Sequence, residues 1–194
     1  MTTIGLIRHG ITEWNELGKA QGSSDIPLNK TGKQQAAAVA NRLSSERAWD
    51  IIITSDLSRA IETGQIISAG IQLPDMIYDK RIREINCGKI EGTTEIERLD
   101  NWGNDWRELD LGMEKFEDVS KRGLGFLEEI VVTYKGKRIL VVSHGALIGL
   151  TLQRLLPEKF PRTHIENTSI TILENSESKW ECTLYNCTEH LVGI

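Results

Sequence analysis

TIGLIRH (residues 3–9), followed by Gly10, decides the fold class. An apolar run ends abruptly in an Arg and a His. Its near-continuous apolar character suits a strand covered on both faces, because a half-exposed strand would alternate. DIIITS (residues 50–55) and KRILVVSH (residues 137–144) read the same way, and their Ile and Val content favours strand.

Helical patterns lie between these strands. In TGKQQAAAVANRLSSERA (residues 31–48), Ala36, Val39, Ala40 and Leu43 follow i, i+3, i+4, i+7 spacing, with Thr31 as the expected N-cap. DLSRAIETGQIISAG (residues 56–70) turns Ala60, Thr63, Ile66 and Ile67 inward, and Gly70 reads as its stop. KFEDVSKRGLGFLEEIVVTYKG (residues 115–136) gathers Phe116, Val119, Leu127, Ile130, Val131 and Tyr134 on one side, while Gly123 and Gly125 weaken its middle. ALIGLTLQRLLP (residues 146–157) is apolar nearly all round and ends at Pro157. The tail, TSITILE (168–174) and KWECTLYN (179–186), reads as a hairpin around NSES (175–178). Strands alternating with helices predict an α/β fold: three layers, α/β/α, around a mostly parallel sheet. In such sheets ligands bind beyond the carboxyl ends of the strands.

That rule sorts the polar residues. The first strand ends in Arg8 and His9. The second ends in Thr54 and Ser55, with Arg59 on the first turn of the next helix. The third ends in Ser143 and His144, with Gly145 at a helix start. Two imidazoles and two guanidiniums on one edge suit a doubly charged oxyanion, since the Arg fork binds phosphate oxygens in pairs. Helix N-termini add N–H donors. A neutral imidazole can attack phosphorus once that charge is neutralised. His164 and His190, in polar surroundings, read as surface or structural residues.

Composition narrows the partners. The net charge is -5 in a chain of 194 residues. Nucleic acid and anionic membranes are therefore not expected as partners, and no apolar run reaches the length of a membrane span. Three scattered cysteines, Cys87, Cys182 and Cys187, form no CxxC pair. They predict reduced thiols, no zinc site and a cytoplasmic location, with no signal peptide in view. No Walker loop or GxGxxG is present to bind a nucleotide.

Five stretches then resemble one family. LIRHGITEWN (6–15), QGSSDIPLNKTGKQQA (21–36), TSDLSRAIETG (54–64), REINCGKIEG (83–92) and VVSHGALIG (141–149) resemble the histidine phosphatase superfamily, in its phosphoglycerate mutase-like branch. The resemblance implies a phosphatase for small phosphorylated metabolites that works without metal or cofactor. His9 would become phosphohistidine. Arg8, Arg59 and His144 would clamp the phosphoryl oxygens, and Glu84 would protonate the leaving oxygen. Asn15, Gln21 and the Gly145 N–H would contact the phosphate. Glu91 reads as structural. The expected organisation is a single phosphoglycerate mutase-like domain over residues 1–194, with residues 93–113 as a small helical capping insertion. There Trp102 and Trp106, four apart, are expected to stack on one helical face, either as core packing or as an apolar wall over the substrate.

Two positions depart from the family pattern. Ile11 stands where Glu or Gln is usual, and Met113-Glu114-Lys115 replaces Gly-Glu-Ser. Mutase action and a non-catalytic phospho-ligand binder are the rival readings, and a narrow phosphatase such as an α-ribazole phosphatase stays open within the leading one. The short chain after the EG of residues 91–92 disfavours the first. Retention of both His, both Arg and Glu84 disfavours the second, because binding alone needs no nucleophile or acid.

Overall fold

The computed structural model describes residues 1–177 and 179–194; Ser178, in the expected hairpin turn, lies outside the described residues. Three parallel strands form the centre: β1 (Thr2–Arg8), β2 (Ile51–Thr54) and β4 (Arg138–Ser143). A short edge strand, β3 (Met76–Tyr78), pairs parallel to β2. The hairpin β5 (Ile170–Ser176) and β6 (Lys179–Cys187) joins antiparallel to β1. The sheet order is β3-β2-β4-β1-β5-β6.

Alternation along the central strands sends side chains into two cores. Ile52, Leu140, Val142 and Ile7 pack against α2 (Lys30–Ser44) and α3 (Ser58–Ile71) through Val39, Leu43, Ala60 and Ile67. Ile53, Ile139, Val141, Ile4 and Leu6 pack on the opposite face against α5 (Phe116–Thr133) and α6 (Gly145–Leu155) through Val119, Leu127, Leu147 and Leu152. Three layers result, as the strand and helix patterns predict. Two shorter helices, α1 (Glu13–Glu16) and α4 (Glu95–Trp102), lie in the connections. Among the described residues no helix is long and apolar enough to cross a membrane.

Several local expectations are corrected. The N-cap of α2 is Asn29, not Thr31: its Oδ1 accepts the Gly32 N–H at 2.8 Å, so the helix begins two residues earlier. Gly70 does not stop α3, which ends with Gln72 in the left-handed region (φ 57°). A Cβ on Gly70 would lie 2.6 Å from the Ala40 Cβ, so this glycine serves close packing of α2 on α3. Ile66 is only half-buried. Phe116 opens α5 but is 62% exposed rather than packed inward. Asn175 and Ser176, expected in the hairpin turn, belong to β5.

Trp102 and Trp106 do not share a helical face. Gly103 ends α4 at φ 76°, and Trp106 falls in a separate 3-10 turn, Trp106–Glu108. Trp106 is buried (4% exposed) in the α5/α6-side core. Its Nε1 donates to Glu95 at 3.2 Å, and the Arg98 and Arg107 guanidiniums lie over its ring. Trp102 is half-buried against the same core.

Candidate active site

β1 and β4 run in register, Arg8 opposite Ser143, so the residues that follow them, His9 and His144, emerge side by side. Their ring centroids are 5.1 Å apart and the rings are tilted by 58°. His9 is 2% exposed and His144 fully buried. The turn after His9 exists because two glycines meet: a Cβ on Gly10 would come within 2.5 Å of the Gly32 carbonyl oxygen at the start of α2. The Gly10 N–H donates to Thr63 Oγ1 at 3.1 Å, which ties the turn to α3.

Hydrogen bonds assign the His9 ring. Its Nδ1–H donates to the Gly10 carbonyl at 2.7 Å, so in the neutral ring Nε2 carries the free lone pair. Burial, with Arg59 and then Arg8 nearby, holds the His9 pKa well below 6.5. His144 is held low for the same leading reason, burial, followed by Arg59, His9 and Arg8. Both imidazoles are therefore neutral at pH 7.

The two guanidiniums are held by carbonyls. Arg8 Nη1 donates to the Ile165 carbonyl at 2.7 Å. Arg59, wholly buried, donates from Nη1 to Ser24 O at 2.7 Å and from Nη2 to Gly22 O at 2.8 Å. Burial lowers its pKa to about 10, although Glu84 and Asp25 act in the opposite sense, so it stays charged. The loop presenting those carbonyls is built by Glu91, as its structural reading expects. Glu91 accepts from the Ser23 N–H (2.8 Å), the Ser24 hydroxyl (2.6 Å) and the Cys87 N–H (3.1 Å). Gly22 sits at φ 52° against that carboxylate, where a Cβ has no room.

Among the described residues, three buried nitrogens in this cluster have no partner: Arg8 Nε, Arg59 Nε and His144 Nδ1. An unsatisfied buried donor costs about 1–3 kcal/mol, more when charged. Together they form a cradle suited to an anion beside His9. Gly145 is part of it, since a Cβ there would lie 3.2 Å from Arg8 Nε.

Glu84 follows the 3-10 turn Lys80–Ile82 and crosses to the N-terminus of α6. Its carboxylate accepts from the Ile85 N–H (3.0 Å), the Leu147 N–H (3.1 Å) and the Ala146 N–H (3.3 Å). The segment is strapped from α5. Arg122 donates to the carbonyls of Arg81 (2.6 Å), Arg83 (2.7 Å) and Glu84 (3.1 Å), and it pairs in two-pronged fashion with Glu114. Glu84 and Arg8 share a cavity of about 360 Å³ with Phe116, Leu150, Gln153 and Ile165.

Asn15 and Gln21 meet at buried Thr12. The Thr12 N–H donates to Asn15 Oδ1 at 3.1 Å, and the Thr12 hydroxyl lies 3.0 Å from Gln21 Oε1. Each amide is thus oriented with its NH₂ end as the remaining donor. Ile11 is anchored through its backbone, its N–H to Gln35 Oε1 and its carbonyl to the Asn29 N–H. His164 is paired with Glu166, and His190 Nε2 donates to the Thr168 carbonyl; neither enters the cluster.

The family model of the histidine phosphatase superfamily (branch 1) matches residues 4–188. The chain belongs to the histidine phosphatase superfamily. It is a phosphatase of that superfamily, and named relatives agree. It is 36% identical to a Bacillus subtilis protein named uncharacterized phosphatase PhoE, over the whole of this chain and 99% of that one. Phosphoserine phosphatase from Entamoeba histolytica, solved with 3-phosphoglyceric acid, superposes with a TM-score of 0.85 at 34% identity, covering 98% of this chain and all of that one. Bacillus stearothermophilus YhfR superposes with a TM-score of 0.87 at 30% identity, with the same coverage.

The sequence alone turns Thr63 inward without tying it to the site, and it gives Asn167 and Thr168 no place there. Asn167 Nδ2 donates to the His9 carbonyl at 2.9 Å, and the Thr168 N–H donates to the Arg8 carbonyl at 2.9 Å. Both come from the loop before β5, about 160 residues away in sequence. Ser55 is visible as a strand end, but its contact with His144 is not.

Proposed function

We propose that this phosphatase hydrolyses phosphate monoesters of small metabolites through a phosphohistidine on His9. The observation that carries this is the set of buried nitrogens that no described residue partners, Arg8 Nε, Arg59 Nε and His144 Nδ1, around an imidazole with a free Nε2. A tetrahedral dianion satisfies all three and neutralises two buried cations.

In the first step the His9 Nε2 lone pair forms a bond to phosphorus as the ester P–O bond breaks. The departing oxygen takes a proton from Glu84. The Gly10 carbonyl steadies the imidazolium character that develops on the ring. In the second step water attacks phosphorus and gives its proton to the Glu84 carboxylate. The P–N bond breaks, phosphate leaves and His9 returns neutral. Arg8 and Arg59 supply the positive charge that lets a nucleophile approach a dianion. The Asn15 and Gln21 NH₂ groups and the Gly145 N–H complete the shell around the phosphoryl oxygens.

The cavity beside Arg8 and Glu84 receives the alcohol part of the substrate, with Phe116 at its mouth. Residues 93–113 act as a cap, Trp106 supporting it from within and Trp102 offering its half-buried ring. The free thiols Cys87, Cys182 and Cys187 fit a reducing, cytoplasmic setting.

Phosphate release from an aryl phosphate, compared for wild type and His9→Ala, tests the reading. Loss of turnover by at least about a thousandfold is expected for a removed nucleophile; equal turnover would overturn it. Mutase action would show itself as conversion of 3-phosphoglycerate to 2-phosphoglycerate faster than phosphate release, and hydrolysis is expected to dominate.

A further inference from the structure

His144 can serve an oxyanion only through a ring nitrogen that carries hydrogen. Its Nε2 lies 2.8 Å from Ser55 Oγ, and its Nδ1 is buried without a partner. Ser55 itself is wholly buried at the end of β2, where its N–H donates to the Val142 carbonyl of β4. The sheet thus fixes the hydroxyl against the ring.

One hydroxyl hydrogen must choose a direction. The Leu57 N–H approaches Ser55 Oγ at 3.4 Å and so occupies an acceptor side of that oxygen. The remaining partner for the hydroxyl hydrogen is His144 Nε2. The opposite tautomer would turn a bare Nδ1 lone pair toward phosphoryl oxygens, where two lone pairs would repel.

We propose that Ser55 is a positioning residue: its hydroxyl donates to His144 Nε2 and thereby makes Nδ1–H the donor to the transferred phosphoryl group. This rests on the phosphohistidine reading, which puts that group between His9 and His144. The two histidines then share one tautomer set by opposite devices. A carbonyl takes the Nδ1–H of His9 and bares Nε2 for attack. A hydroxyl covers Nε2 of His144 and leaves Nδ1–H for binding.

Long-range proton–nitrogen NMR of the imidazoles in the whole protein, with and without inorganic phosphate, reads the tautomer directly. The expected spectrum has a protonated Nδ1 and an unprotonated Nε2 in His144, with Nδ1 shifting on phosphate addition. Protonated Nε2 in the wild type would overturn the proposal whatever the variants do. In Ser55→Ala the His144 tautomer becomes mixed and kcat falls about ten- to a hundredfold, the scale of a weakened oxyanion donor, with little change in KM. Ser55→Thr, which keeps the hydroxyl, restores most of that loss. Wild-type kcat and an unchanged tautomer in Ser55→Ala would equally overturn it. If His9→Ala abolishes turnover while His144 carries its proton on Nε2, only this inference falls. If His9→Ala turns over normally, the phosphohistidine reading falls first.

Discussion

His9 and His144 face each other across 5.1 Å, and each ring is oriented by an uncharged oxygen, the Gly10 carbonyl or the Ser55 hydroxyl, rather than by a carboxylate. A carboxylate partner would favour the protonated ring. Here burial and two guanidiniums keep both rings neutral, as a nucleophile requires.

Stability should therefore rise with pH through the mildly acidic range. Both folded-state pKa values lie well below 6.5, so below that pH the unfolded chain binds more protons than the folded one. Stability is then lost as pH falls below about 6.5, by up to about 1.4 kcal/mol per pH unit for each histidine. Urea melts between pH 5 and pH 7 measure the slope, and His144→Gln should flatten it. A slope of zero in the wild type would mean that the rings are not held neutral.

Glu84→Gln removes the proton but keeps the shape. Turnover of alkyl phosphates should fall by about a hundredfold or more, the usual scale of general acid catalysis. An aryl phosphate with a good leaving group should phosphorylate His9 at nearly the wild-type rate in a pre-steady-state burst. Equal slowing of both bursts would remove Glu84 from the acid role.

Arg122 acts at a distance, through the carbonyls of residues 81, 83 and 84. Arg122→Ala leaves those carbonyls and Glu114 short of donors. A destabilisation of about 2 kcal/mol is expected from charge-assisted bonds in a partly buried site. Because the strap holds Glu84, alkyl phosphate turnover should drop more than aryl phosphate turnover. Calorimetry and the ratio of the two rates check both parts.

Gly145→Ala brings a methyl against Arg8 Nε at 3.2 Å and Cζ at 3.4 Å, so Arg8 must shift. Competitive inhibition by inorganic phosphate should weaken by about tenfold, the value of about 1.4 kcal/mol of lost contact. Thermal stability should change little, since alanine favours the first turn of α6. Unchanged inhibition would place the anion elsewhere.

Much of this was legible in the chain because the sheet does the assembling. Parallel strands bring their carboxyl ends to one edge, so Arg8–His9 and Ser143–His144 could be paired from strand patterns alone. Arg59 followed from the helix after the next strand. What could not be read were contacts closed by long-range packing. Thr168 and Asn167 reach the His9 backbone through the antiparallel β5, whose pairing partner no local pattern specifies. Gly70 looked like a helix stop because spacing cannot distinguish a terminator from a close helix crossing. The spacing of the two tryptophans predicts stacking, and what it does not reveal is that Gly103 breaks the helix between them. Edge strand β3 has only three residues, too few to show a period. Glu84 needed the family resemblance, since one carboxylate among 28 acidic residues carries no spacing signal of its own.

The most direct test is to trap the intermediate. The protein is mixed with a substrate labelled on its phosphoryl group, quenched within milliseconds under alkaline denaturing conditions, and digested for peptide mapping. An alkali-stable, acid-labile phosphoryl group on the peptide that contains His9, appearing and decaying at rates consistent with turnover and absent in His9→Ala, is the expected result. Full turnover with no labelled peptide, or with label on a residue other than His9, would show that the phosphoryl group does not pass through this histidine.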